Sequence, residues 1–309
     1  MTYLSTFAMR LPTLLKGDKC FVCSPSYEPN PEILASGFKI LESWGLKVLW
    51  SGPGSPFPPF AAPDEDRFSE LQSALDNADA KVIFCARGGY GLTRYIDQLD
   101  WTCFEENPKW VIGFSDITAL HLALQQRGFA SIHGPMLVHL AHPDHALAVI
   151  QLDEILFRKR TSISYSIQAE SIEMESEIRG QLVGGNLTLL VNSLATKSEI
   201  STDDKILFLE EVGERFYRLD RMLQHLLRAG KLTKLKAVVL GQFTDCELDK
   251  FPYSIAEMVT QKTGSQIPVF SGLKAGHGKP TYPIVLGAEA ILHKSASGFT
   301  FTQNIQQLV

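Results

Sequence analysis

Apolar positions along the chain follow two periods. Short runs of β-branched and aromatic residues at 19–24, 47–50, 81–85 and 110–112 have the length of buried strands. Between them, 33–44 shows helical spacing up to Gly45, 64–75 begins with an acidic turn, and 146–157 is again helical. Strands alternating with helices predict a parallel, doubly wound sheet. In such sheets ligands sit beyond the carboxyl ends of the strands. The segment 51–63, SGPGSPFPPFAAP, offers no regular structure. A loop of that length inside an α/β domain is often functional.

The pattern changes after residue 157. Positions 158–180 are polar and rich in Ser and Glu, with a short alternation at Ile163, Tyr165 and Ile167. They are read as a linker between a first α/β domain, 1–157, and a second, 181–309. In the second, strands are expected at 206–209, 237–240, 268–271, 284–292 and 299–302, and helices at 216–229 and 254–262. No internal repeat is visible.

Composition narrows the function classes. The 309 residues are 45% hydrophobic, enough for two full cores, and the net charge is −5 with Lys and Arg scattered. A nucleic-acid surface needs a basic stripe, so that class is set aside. Five cysteines do not make a disulfide framework. Cys20 and Cys23 lie three apart in a strand, hence on opposite faces, and all five are expected to be small buried residues. The first residues lack a basic leader before an apolar core, and no apolar run approaches about 18 residues. A cytoplasmic protein with no membrane partner is expected.

The candidate chemistry centres on 109–126, KWVIGFSDITALHLALQQ. A strand, a turn permitted by Gly113, Ser115, and a helix marked by Ile117, Leu120 and Leu124 follow one another. That order holds a hydroxyl at a strand's carboxyl end, near helix N–H groups. Ile117 stands where a G-x-S-x-G elbow has its second glycine, so a helix-capping role for Ser115 stays open. Three glycines in RGGYG, 87–91, suit an anion or oxyanion cradle; Arg94 stands where a dinucleotide fingerprint needs glycine. In KILFLEEVGE, alternation puts Glu210 with Ile206 and Phe208, and Glu211 with Leu207 and Leu209. One of the two acids must lie near a core or cleft, orienting a histidine or pairing with Arg215, Arg218 or Arg221. His277, between glycines in KAGHGKPTYP, lies in a loop suited to a catalytic base. His121 and His225 fall in amphipathic helices, as packing or surface residues. His139, His142 and His145, with Asp144, are read as a solvated helix end rather than a metal cluster, because Pro143 breaks any helix through them.

Seven segments in order then resemble the LD-carboxypeptidase family of serine peptidases. They are ARGGYG at 86–91, GFSDITALH at 113–121, HGPM at 133–136, GGNL at 184–187, LFLEEVGERFYRLDRML at 207–223, GQF at 241–243 and GHGKPTYPIVLGAEA at 276–290. Ala195-Thr196 and Ala62-Pro63-Asp64 depart from the family pattern, in loops. The resemblance implies Ser115 as nucleophile, His277 as general base and Glu210 as the acid that orients it. It implies an oxyanion hole from the backbone N–H groups of Gly89 and Asp116. The implied architecture is an N-terminal flavodoxin-like, class I amidotransferase-like domain carrying the serine. A C-terminal α/β domain carries Glu and His, with the site between the domains. The implied reaction releases D-alanine from a murein tetrapeptide in cell-wall recycling, without metal or cofactor, in a homodimer. The microcin-immunity branch of the family, which cleaves peptidyl-nucleotide antibiotics, and a non-catalytic binding module are the alternatives. Glu211 is then left to surface or ion-pair contacts.

Overall fold

The computed structural model of the chain describes residues 11–52, 54–55, 57–170, 177–246, 252–295 and 298–306. The N-terminal stretch in which no leader was read lies largely outside them. The first half comprises β1 (Lys19–Cys23), α1 (Pro31–Ser43), β2 (Lys47–Leu49), α2 (Asp64–Asp76), β3 (Ala80–Cys85), α3 (Thr102–Glu106), β4 (Trp110–Gly113), α4 (Thr118–Gln126), β5 (Ser131–His133) and α5 (Ala146–Leu156). Its strands run parallel in the order β2-β1-β3-β4-β5. Helices cover both faces, so β1, β3 and β4 are buried almost throughout, as parallel strands are. Cys20 and Cys23 face opposite cores, as their spacing requires. Cys103 departs from expectation: it is exposed on the short α3.

The second half comprises β6 (Ser162–Ala169), β7 (Ile178–Asn186), α6 (Leu187–Asn192), β8 (Ile206–Val212), α7 (Phe216–Arg228), β9 (Ala237–Thr244), α8 (Ile255–Thr263), β10 (Val269–Ser271), β11 (Ile284–Leu286), β12 (Glu289–Ser295) and β13 (Gly298–Asn304). Seven of these strands close into a barrel in the order β10-β6-β13-β12-β7-β8-β9, sealed by parallel pairing of β9 with β10. The chain is therefore a mixed α/β fold of one largely parallel sheet and one barrel-like sheet. α7 packs Phe216, Leu219, Leu223 and Leu226 with the outer residues of β8 and β9. Burying each such side chain contributes about 1.5–3 kcal/mol.

Two expectations need correction. The segment 158–180, read as a linker, holds a strand of the barrel: β6 pairs along its length with β13, and its alternation turns Ile163, Tyr165 and Ile167 inward. The run 284–292, read as one strand, is two. Gly287, at φ +84°, breaks it, so β11 joins the first sheet antiparallel to β5 while β12 joins the barrel. A side chain at 287 would meet the backbone of Phe129 and Ala130 at about 3 Å, so only glycine permits this crossing.

The two halves are also joined beside α4. Gln125 of α4 exchanges two hydrogen bonds with Gly184 of β7, at 3.0 and 3.2 Å. The Asn186 N–H donates to Thr118 Oγ1 at 3.2 Å. A Cβ on Gly185 would come within 2.6 Å of Thr118, so the glycine lets barrel and helix touch.

Candidate active site

Ser115 follows β4 at the carboxyl end of the first sheet. Its φ is +66°, a left-handed conformation costly for a residue with a Cβ. Nucleophile elbows have this strained strand-to-helix geometry. The missing second glycine is accounted for by packing. Ile117 fills the space over Gly113, where any added Cβ would lie 2.8 Å from the Ile117 side chain. Gly88 closes over the other side; a Cβ there would be 2.9 Å from Ser115 Cβ. The RGGYG loop thus rests directly on the serine, with Gly89 next in line at φ +122°.

Asp116 has its side chain buried beneath that loop. It accepts hydrogen bonds from Ser26 Oγ at 2.6 Å and from the Leu92 N–H at 3.0 Å. Burial pushes its carboxyl up, opposed by these donors. Its side chain ties the glycine loop to the elbow, while its backbone opens the turn after Ser115. His121 is buried on α4. One ring nitrogen meets the Gly113 carbonyl at 2.9 Å and the other meets Ser131 Oγ at 2.8 Å. Burial lowers its pKa to about 4, so it is a neutral brace under β4.

The other two candidates come from the barrel. Glu210 is fully buried at a bulge in β8, where the register with β9 shifts between Leu209 and Glu211. Bulges re-aim side chains in this way. Glu210 Oε2 lies 2.7 Å from His277 Nδ1. Burial disfavours the imidazolium, but the hydrogen bond and charge of Glu210 outweigh it and hold His277 above the ordinary histidine value. The same burial pushes the Glu210 carboxyl up, with His277 opposing. An Nδ1–H held by Glu210 leaves Nε2 with the lone pair, the form a general base needs.

Residues that sequence reasoning passed over hold His277 in place. Gln242, in the second half of β9, accepts from the Gly278 N–H at 3.1 Å and donates to the Pro280 carbonyl at 3.3 Å. Thr281 Oγ1 accepts from the Gly276 N–H at 3.1 Å. At Gly276, φ +134°, a Cβ would sit 3.0 Å from Glu210 Oε2, so glycine is what lets the pair form. A polar residue just past an apolar run, in GQF, was the available signal. No hydrogen bond joins the Ser115 hydroxyl to His277 in this structure. They are linked through Phe114, whose ring stands edge-on to the His277 ring at 5.0 Å between centroids.

Two readings are corrected here. Glu211 is buried, not a surface or ion-pair residue. Its Oε1 accepts from Asn186 Nδ2 at 2.9 Å and from the Val212 N–H at 2.9 Å. Its Oε2 accepts from the Thr188 N–H at 2.8 Å and Oγ1 at 2.7 Å. It therefore anchors the start of α6 on the outer face of β8, while Arg218 pairs with Glu214. Glu211→Gln puts N–H groups where donors already point, and should cost about 1–3 kcal/mol of stability, read by denaturant unfolding. The histidine group is a solvated end only at His142 and Asp144, which are half exposed. His145 is buried, and its Nδ1 accepts from the Thr281 N–H at 3.3 Å. His139 Nδ1 accepts from the Met136 N–H at 3.2 Å, and burial lowers its pKa to about 3. Among the described residues no group of three His, Cys, Asp or Glu could hold a metal ion.

Comparison with known proteins decides the family. Residues 21–134 match the LD-carboxypeptidase N-terminal domain, and residues 179–292 match the C-terminal domain. The chain belongs to the LD-carboxypeptidase family. It is 31% identical to the murein tetrapeptide carboxypeptidase of Pseudomonas aeruginosa over 237 residues, covering 74% of this chain and 77% of that protein. It is 32% identical to the probable murein peptide carboxypeptidase of Bacillus subtilis, covering 91% and 90%. The muramoyltetrapeptide carboxypeptidase of Oxalobacter formigenes superposes with a TM-score of 0.81 at 29% identity, over 93% of this chain and 98% of that one. The microcin C7 self-immunity protein shares the fold, with a TM-score of 0.86 at 20% identity. Family membership makes this chain a serine carboxypeptidase.

Proposed function

We propose that this LD-carboxypeptidase family member hydrolyses the bond between an L-configured centre and the terminal D-alanine of a murein tetrapeptide. Ser115 is the nucleophile, His277 the general base and Glu210 the acid that fixes it. The observation that carries the assignment is the buried 2.7 Å pair of His277 Nδ1 with Glu210 Oε2, beside a serine held at φ +66°. His277 Nε2 takes the Ser115 proton as Oγ attacks the peptide carbonyl carbon. The N–H groups of Gly89 and Asp116 face the oxyanion, each contributing about 3–4 kcal/mol by comparison with a single donor lost from a similar hole. His277 then returns its proton to the departing D-alanine amine. Water, activated by the same imidazole, cleaves the acyl-enzyme and regenerates Ser115.

The parallel order β2-β1-β3-β4-β5 supports a flavodoxin-like, amidotransferase-like first domain spanning 1–157, with a second α/β domain over 181–309. Among the described residues no helix is long and apolar enough to cross a membrane. A cytoplasmic homodimer that recycles wall peptides fits the reading, and sedimentation would test the dimer.

The deciding experiment supplies three substrates: a tetrapeptide ending in D-alanine, the same peptide ending in L-alanine, and a peptidyl-adenylate analogue. Only the first should be cleaved efficiently. Release of nucleotide without release of D-alanine would favour the immunity-type reaction instead.

The pH dependence follows from the His277 environment. A general base must be neutral, so kcat/KM should fall as pH drops through the His277 pKa. That acidic limb should have its midpoint above the ordinary histidine value of about 6.5. A midpoint well below that value would contradict a charged Glu210 partner.

A further inference from the structure

We infer that Arg87, assisted by Lys279, binds the carboxylate of the departing D-alanine and makes the protein a carboxypeptidase rather than an endopeptidase. The inference rests on the reaction proposed above and assigns its leaving-group subsite. A cavity of about 460 Å³ adjoins His277 and Phe114. Arg87, Lys279, His139, His142 and His145 contribute to its lining, and no aspartate or glutamate does. His139 and His145 are held below the usual histidine range, first by burial and then by neighbouring cations. The cavity's fixed positive charge therefore comes from Arg87 and Lys279.

The chemistry says which part of the substrate reaches this cavity. The imidazole that protonates the leaving amine must lie next to that nitrogen. In a departing alanine the carboxyl carbon is two bonds beyond the nitrogen, roughly 2.5 Å away. The terminal carboxylate must therefore lie within a few ångströms of His277, on the leaving-group side. Arg87 is well placed there. It precedes Gly88, which packs on Ser115 Cβ, and so it enters the loop that covers the nucleophile.

The guanidinium is held yet unneutralised. Its Nη1 donates to the Glu28 carbonyl at 2.7 Å, and it stands 6.0 Å from the Tyr27 ring centroid. Among the described residues it pairs with no carboxylate. Arginine offers five N–H donors, so one bond to Glu28 leaves a fork for a carboxylate. Lys279, two residues beyond His277, is only loosely engaged, 3.4 Å from Asp144 Oδ2 with both side chains half exposed. A substrate whose chain continues past the scissile bond, or ends in an amide, brings no charge to this pocket and leaves Arg87 unmatched.

The test compares tetrapeptides ending in D-alanine and in D-alaninamide, with wild type, Arg87→Gln, Arg87→Lys and Lys279→Met. Wild type should prefer the free acid. Arg87→Gln should lower kcat/KM for the acid roughly 10- to 100-fold, the range for a lost hydrogen bond to a charged group. The loss should appear mainly in KM, because the contact is made before and during reaction alike. Turnover of the amide should be unchanged, and so should labelling of Ser115 by a serine-directed phosphonylating probe. Arg87→Lys should recover part of the loss, and Lys279→Met should show a smaller loss in the same direction. Equal losses on acid and amide would mean that Arg87 only supports the loop or binds another part of the peptide, and would overturn the inference. Unchanged kinetics of Arg87→Gln on the acid would overturn it too, while leaving the proposed reaction standing. Failure of wild type to release D-alanine would remove both.

Discussion

Ser115→Ala is expected to keep the wild-type melting temperature and lose D-alanine release by roughly 10⁴- to 10⁶-fold, the scale on which loss of a triad nucleophile is felt. The stability expectation follows from the backbone. Alanine keeps the Cβ and thus the same left-handed strain at φ +66°, and the Ser115 hydroxyl makes no hydrogen bond among the described residues to be missed. Ser115→Gly separates strain from chemistry: without a Cβ the left-handed conformation is cheap. It should be at least as stable as Ser115→Ala and equally inactive. If Ser115 merely capped α4, both variants would lower the melting temperature and keep turnover.

Glu210→Gln should reduce kcat by roughly 10³- to 10⁴-fold, by analogy with amide replacement of the orienting acid in serine proteases. Glutamine keeps the volume but can donate to Nδ1, and that fixes the hydrogen on Nε2, where a base cannot carry it. Removing the carboxylate also removes the main groups that hold the His277 pKa up, leaving burial opposed only by the charge of Glu211. The acidic limb of residual activity should therefore move to lower pH. Glu211→Gln should do the reverse, unfolding more easily with kcat within a few-fold of wild type. The two adjacent acids then separate by observable: one changes chemistry, the other stability. Should Glu211→Gln prove the inactive variant, the face assignment along β8 is wrong.

How much of this was legible in the sequence varies with the range of the interaction. Period-2 alternation in β8 assigned Ile206 and Phe208 to one core and Leu207 and Leu209 to another, as found. It thereby put Glu210 and Glu211 on different faces, and only the family resemblance chose between them. The strand, turn, serine and helix around Ser115 are local, and the spacing displayed them. The bulge at Glu210 and the Gln242 clamp on the 276–280 loop join residues far apart in sequence, and no local pattern encodes them. β6 was hidden because half its residues face water, so its composition reads as a linker. The break at Gly287 was hidden because an apolar run continues on both sides, and only the approach of Phe129 and Ala130 demands glycine there. His145 looked solvent-facing beside Pro143 and Asp144; its burial goes with the His277 loop, whose Thr281 N–H donates to it.

The most direct test is mass spectrometry of a disaccharide tetrapeptide incubated with the wild-type protein and, in parallel, with Ser115→Ala. Wild type should remove one alanine from the peptide's carboxyl end, the released amino acid should be the D-enantiomer, and the Ser115→Ala sample should retain the intact tetrapeptide. An intact tetrapeptide in the wild-type sample, cleavage at another bond, or equal D-alanine release by Ser115→Ala would contradict the assignment.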